Sequence, residues 1–139
     1  MIHVIMGQKG TGKTKKLLDA INQAVAEAHG DVVCIEYGRK LTYDVSYKVR
    51  LVDSQEYAIS TPEMLKGFLS GLHAGNFDIT HVFVDNLYRA INKPMDADSS
   101  ACDEFLAWAA TFAEINNMNL TFTISEDPAN ASEEMKKYL

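Results

Sequence analysis

Eight consecutive residues, Gly7-Gln8-Lys9-Gly10-Thr11-Gly12-Lys13-Thr14, have the types and spacing of a loop that cradles phosphate. Its glycines free backbone N–H groups to curl around phosphate oxygens, and a helix starting directly behind adds the positive end of its dipole. In such a loop Lys13 is the point charge for the β- and γ-phosphates, and the hydroxyl of Thr14 is a ligand for Mg2+. All eight residues, Gly7 to Thr14, are expected to contact a nucleoside triphosphate, ATP or another.

A metal held in this way needs a carboxylate at the carboxyl end of a neighbouring buried strand. Asp85 meets that requirement, ending the apolar run Val82-Phe83-Val84, and is expected to reach the Mg2+ through a bound water. Hydrolysis further requires a group that orients or deprotonates the attacking water. Asn86, directly after Asp85, is able to hydrogen-bond a water but not to accept its proton. Glu36 ends the second apolar run, Val32-Val33-Cys34-Ile35, at the same sheet edge, and is the candidate general base; the alternative is a solvated strand end. Asn92-Lys93-Pro94-Met95-Asp96 looks like a guanine-reading motif, but it carries one residue too many and follows a helical turn. It reads as a loop.

Strand and helix patterns alternate along the chain, which predicts a parallel sheet covered on both faces. Ile2–Met6 reads as a buried strand, and 15–29 as a helix with Leu17, Leu18, Ile21, Ala24 and Val25 on one face. After strand 32–36, the stretch 38–53 is polar and irregular, a loop with room for a hairpin. Tyr57-Ala58-Ile59-Ser60 reads as a short strand, and Thr61-Pro62-Glu63 as a helix start with a Thr cap and Pro in the first turn. That helix turns Met64, Leu65, Phe68, Leu69 and Leu72 inward and stops at Gly75-Asn76. A strand over 79–85, a helical turn or two over 87–92, a loop over 93–98 and a long amphipathic helix over 99–116 follow. Leu120–Ile124 is the last strand, succeeded by Asp127-Pro128 and a short helix.

With 139 residues there is room for one domain with one core, 1–139. The net charge of −6 leaves no excess of basic residues to neutralise a phosphate backbone, which argues against nucleic acid as the partner. Cys34 and Cys102 stand far apart in apolar patterns, as two buried thiols of a cytoplasmic protein would. The longest apolar run, 105–113, is too short to span a bilayer, and the first strand follows the N-terminus at once, without space for a signal peptide. A cytoplasmic location without membrane attachment is expected.

Taken in order, these pieces resemble the RecA-type core of P-loop ATPases, over roughly residues 1 to 126. Gly10-Thr11-Gly12-Lys13-Thr14 is similar to the loops of that class, and Val82-Phe83-Val84-Asp85 to its Walker B strand. The resemblance implies a three-layer α/β/α P-loop NTPase fold around a mostly parallel five-stranded sheet, with the loop-bearing strand central and strand 120–124 between it and the Walker B strand. It implies a catalytic glutamate at Glu36 and a γ-phosphate sensor at Ser125 or Glu126. It also implies a strand, turn and helix over 56–63, and an aromatic near Tyr43 where some relatives stack adenine. The chain departs from recombinases and helicases in stopping soon after the presumed sensor strand and in having a short, partly acidic loop at 93–98. Type II thymidine kinases share the opening layout, but follow the Walker B Asp with a glutamate where Asn86 stands, and carry zinc-binding cysteines that are missing here.

Three functions are consistent with these residues: a small Mg2+-dependent ATPase, an ATP-responsive module without turnover, motivated by Asn86, and a phosphotransferase acting on a small acceptor. An arginine finger would have to come from Arg39, Arg50 or Arg89, none of which sits in a marking motif. In the class that the chain resembles, a neighbouring subunit often supplies it, which implies a homo-oligomer or a protein partner.

Overall fold

The computed structural model describes residues 1–93 and 98–139. Along the chain run β1 (Ile2–Met6), α1 (Lys13–Glu27), β2 (Asp31–Glu36), β3 (Val49–Asp53), α2 (Pro62–Gly75), β4 (Ile79–Val84), α3 (Leu87–Ala90), α4 (Ser100–Asn116), β5 (Asn119–Ile124) and α5 (Glu133–Lys136). The five strands form one all-parallel sheet in the order β1-β5-β4-β2-β3. Strand 120–124 therefore lies between the loop-bearing strand and the strand that leads to Asp85.

Parallel strands need crossovers, and crossovers put helices on the sheet faces. Strand side chains alternate between the two faces. Val32 and Cys34 of β2 and Phe83 of β4 pack with Leu17, Ile21 and Ala24 of α1. Their neighbours Val33, Ile35, Val82 and Val84, with Leu120, Phe122 and Ile124 of β5, pack on the other side against α2 and α4. Phe105 of α4 meets Phe122 edge-on, with ring centroids 5.5 Å apart. The architecture is α/β, with helices on each face of the sheet and apolar side chains filling both interfaces.

Local chemistry sets the helix limits. α2 starts where the Thr61 hydroxyl accepts the Met64 N–H at 3.1 Å, with Pro62 in the first turn. α4 stops at Asn117, whose φ of 52° suits asparagine better than a bulkier residue. α1 starts two residues earlier than its apolar face indicates, because Gly12 in the left-handed region (φ 86°) turns the chain straight into helix.

Three expectations differ from the structure. The third strand is Val49–Asp53, inside the stretch expected to be loop, and 57–60 is not a strand: a turn over 54–58 runs into irregular chain at 59–60. Ala58 has φ 54°, which extended chain does not adopt, and the Ile59 N–H bonds back to the Ser54 carbonyl at 3.1 Å, tucking Ile59 into the core. The loop-bearing strand β1 is not central; it lies at the edge of the sheet and pairs with β5 alone. On its outer side the Val4 N–H donates to the Tyr138 carbonyl at 2.9 Å, so the segment after α5 occupies the flank where a further strand would pair. Of the loop expected over 93–98 and of the Asn92–Asp96 motif, positions 94–97 lie outside the described residues.

No helix among the described residues is long and apolar enough to cross a membrane. Cys34 and Cys102 are both free and fully buried. Burial, reinforced by Asp103, pushes the Cys102 thiol up to about 12. Burial also raises Cys34, helped by the nearby Glu36 and Asp85 carboxylates. A thiol so raised has roughly a thousandfold less thiolate near neutral pH than a free cysteine. Iodoacetamide is therefore expected to leave both cysteines unmodified in the native protein and to alkylate both in denaturant, as read by intact mass. Rapid native alkylation would contradict the packing of α4 and β2.

Candidate functional site

Strand register builds the site. Ile35 is paired with Val84, and Val84 with Phe122. One residue further on, Glu36, Asp85 and Thr123 therefore stand level with one another on three adjacent strands. Alternation sends all three to the α1 face, because Cys34 and Phe83, two residues earlier on β2 and β4, already pack there. Neighbouring strands are about 4.8 Å apart, so this row brings two carboxylates and a hydroxyl together at the carboxyl edge. Asp85 stays in the ladder through its N–H, which donates to the Ile35 carbonyl at 2.8 Å. The Thr123 hydroxyl donates to Asp85 Oδ1 at 2.7 Å and accepts the Asn86 N–H at 2.6 Å, tying the strand end to β5.

The loop 7–14 leaves the same sheet edge beside β5. Met6 pairs with Ile124, so Gly7 and Ser125 leave their strands side by side, and the Gly7 N–H donates to the Ile124 carbonyl at 3.2 Å. Gly10 and Gly12 take φ of 87° and 86°, conformations that residues with a Cβ rarely adopt. A Cβ on Gly7 would stand 2.5 Å from Thr11 Oγ1, which is itself anchored to the Gln8 carbonyl at 2.6 Å. The Lys13 ammonium folds back over the loop, donating to the Gly7 carbonyl at 3.2 Å and to Ser125 Oγ at 2.8 Å. No side chain among the described residues caps α1 at Gly12. Among the described residues the N–H groups of Gly10, Gly12, Lys13, Thr14 and Lys15 have no backbone or side-chain acceptor. Five N–H donors and a lysine gather at one helix start, a positive end suited to an anion. Gln8, Lys9, Thr11 and Thr14 are exposed around it.

Each remaining candidate has a structural occupation. Glu36 is no solvated strand end: it is 2 % exposed, and its Oε1 accepts the N–H groups of Lys40 and Leu41 at 2.7 and 3.1 Å. Its Oε2 makes no hydrogen bond among the described residues, and the side chain borders a small cavity of about 250 Å3 on the β3 side, together with Arg39 and Arg50. Asn86, at φ 62°, caps α3, its Oδ1 accepting the Arg89 N–H at 3.3 Å. Ser125 meets Lys13, whereas Glu126 turns to Asn130 and Asp127. Tyr43 is 99 % exposed and touches none of this.

Thr123 escapes notice in the sequence, where it is one more residue of an apolar strand. Its signal is the alternation Thr121, Thr123, Ser125, which puts polar side chains on one face of β5. Arg89 stands in the sequence as an arginine without a motif, yet its guanidinium lies 3.8 Å above the Tyr37 ring in the lining of a larger cavity. No protein-family model matches the chain, and no curated protein matches it significantly.

Replacing Glu36 by alanine would leave the N–H groups of Lys40 and Leu41 without their acceptor under the 38–41 turn. Leaving a buried donor unsatisfied costs about 1–3 kcal/mol, and the Lys40 donor is only partly buried, so Glu36→Ala is expected to destabilise by roughly 2–4 kcal/mol, and Glu36→Gln, which keeps an acceptor, by less. Chemical denaturation reads both variants. An alanine variant as stable as wild type would mean that the carboxylate is not holding the turn.

Proposed function

We propose that this chain is a P-loop nucleotide-binding protein of the RecA type that takes a Mg2+-bound nucleoside triphosphate, ATP first, and hydrolyses it. The observation that carries this reading is the group of uncommitted N–H donors of Gly10, Gly12, Lys13, Thr14 and Lys15, beside a lysine ammonium whose partners among the described residues are a carbonyl and a serine hydroxyl. Phosphate oxygens are stronger acceptors for an ammonium than either.

The donors near the loop fit Mg2+. Thr14 brings an exposed hydroxyl and Asp85 a carboxylate with Oδ1 held by Thr123, both hard oxygen ligands. Mg2+ is commonly held by one or two carboxylates together with substrate phosphates and waters, so a larger acidic cluster is not required. When bound, the ion neutralises charge on the β- and γ-oxygens. The chain's own residues do the rest. The loop N–H groups and Lys13 bind the β- and γ-phosphates and stabilise the charge that builds up there. Ser125 aims Lys13 at the terminal phosphate. Thr123 holds Asp85 in one orientation. In hydrolysis the water oxygen bonds to the γ-phosphorus, the bond from that phosphorus to the bridging oxygen breaks and ADP leaves. The water proton passes to Glu36 Oε2.

The acidic balance of the chain supports a small-molecule substrate over nucleic acid, and two free thiols suit the reducing cytoplasm. A second reading, a module that changes shape on ATP without turnover, is favoured by one observation: Glu36 spends Oε1 on the 38–41 turn and faces the β3 side.

Lys13→Ala removes the charge that meets the phosphates while leaving the core untouched. Triphosphate affinity is expected to fall by roughly tenfold to a hundredfold, the range for a charge-assisted hydrogen bond, as read by calorimetric titration. Unchanged affinity would remove the nucleotide assignment. Glu36→Gln separates the two readings. General bases contribute about 10²- to 10⁴-fold, so phosphate release should drop by about that factor with binding almost unaltered. Equal release by variant and wild type would favour the switch, or a partner that organises the water.

A further inference from the structure

On the side of Ser125 away from the loop lies a cavity of about 660 Å3, within the range of small-molecule sites. It is bordered by the segments that follow β2, β4 and β5, and no residue of 7–14 lines it. The loop has a cleft of its own, of about 220 Å3, on the β1 side, between Gly7, Gln8, Thr11 and Lys16 and the segment Asp127-Pro128. The larger cavity is thus a separate space, and it meets the phosphate loop at Ser125, whose hydroxyl holds Lys13.

Its wall has a definite chemistry. Arg89 makes no ion pair among the described residues; its guanidinium is oriented instead by stacking on Tyr37 at 3.8 Å. A stacked guanidinium keeps its N–H fork free to grip a carboxylate or phosphate in two places. Lys93, 4.6 Å above the ring of Tyr88, and Glu126 also line the cavity. Tyr88 brings an aromatic ring, Ile59 an aliphatic side chain, and Asn86 and Asn92 bring amide groups. A charged end, a planar body and hydrogen-bonding edges are what these groups would satisfy together.

We propose that this cavity is a second ligand site, for a small planar anion the size of a nucleoside monophosphate, held by Arg89 next to the terminal phosphate of the bound triphosphate. The neighbouring triphosphate is taken from the function proposed above; the anion site itself stands on Arg89, Tyr37 and the cavity. Ser125 links the two, since a ligand seated against it bears on the hydroxyl that positions Lys13.

Adenosine and uridine monophosphates and phenyl phosphate serve as probes, titrated calorimetrically into wild type, Arg89→Gln and Lys13→Ala, each also titrated with a non-hydrolysable ATP analogue and Mg2+. Circular dichroism checks that each variant is folded. At least one probe is expected to bind wild type at millimolar concentration or better. Arg89→Gln should weaken that probe by roughly tenfold to a hundredfold and leave the ATP analogue unchanged, and Lys13→Ala should do the reverse. A probe that loses affinity in Lys13→Ala but not in Arg89→Gln is binding the loop, and overturns the second site. Equal weakening of probe and ATP analogue by Arg89→Gln overturns it too, because the cavity would then hold part of the triphosphate itself. So does the absence of binding by all three probes. Should wild type bind a probe through Arg89 but no ATP analogue, the nucleotide assignment falls and the anion site stands.

Discussion

The pleat of a parallel sheet is the constraint on which the candidate site depends. Alternate residues must point to opposite faces, and register decides which of them stand level. With Ile35, Val84 and Phe122 in line across three strands, Glu36, Asp85 and Thr123 have no choice but to share a row. A slip of one residue in β5 would send Thr123 into the α4 layer and turn Phe122 toward the loop. The apolar residues that hold that register, among them Val84, Phe122 and Phe105, are therefore as much a part of the site as the polar ones.

Much of the polar side chemistry at the carboxyl edge is devoted to holding backbone. Glu36 closes the 38–41 turn, Asn86 caps α3, Thr123 joins two strand ends, and Asp53 Oδ1 accepts the N–H groups of Gly38 and Gln55 at 2.9 and 3.0 Å. Carboxylates and amides at strand ends find such partners readily, because strand termini leave backbone donors unpaired. The segment 10–15 is the contrast: apart from Thr11, whose N–H meets the Gln8 carbonyl, its backbone donors have no acceptor among the described residues. That difference in saturation, more than the presence of any one acidic residue, separates the loop from its surroundings.

Elements that announce themselves in the sequence are those whose burial is two-sided. β4 ends in the apolar run Val82-Phe83-Val84, β5 alternates Leu120, Phe122 and Ile124 with threonines, and the glycine-lysine loop between a strand and a helix is legible from residue types alone. β3 was not legible: Arg50 and Asp53 dilute its apolar signal, and the more apolar stretch 57–60 competes with it until Ala58 is seen at positive φ. The edge position of β1 was hidden for another reason. Ile2, Val4 and Met6 are as buried as central-strand residues, because the helical layer covers that face of an edge strand too. The burial of Glu36 was equally out of reach, since it depends on residues 40 and 41 folding back onto the strand end. Sheet order and long-range capping come from how crossovers are routed, which the composition of a strand does not encode.

The Tyr138 carbonyl bonded to Val4 bears on self-association. An edge strand with open N–H and C=O groups is a template on which another chain's strand is able to add. Here the midpoint of β1 is already taken by the segment after α5, which in turn is held by Met135 in the core and by the Tyr138 hydroxyl donating to Glu134 at 2.8 Å. The strap and the anchor of the glycine-rich loop are thus one mechanical unit. A copy of this chain seeking to extend the sheet through β1 must first displace that strap, and in doing so would loosen the strand that carries Gly7.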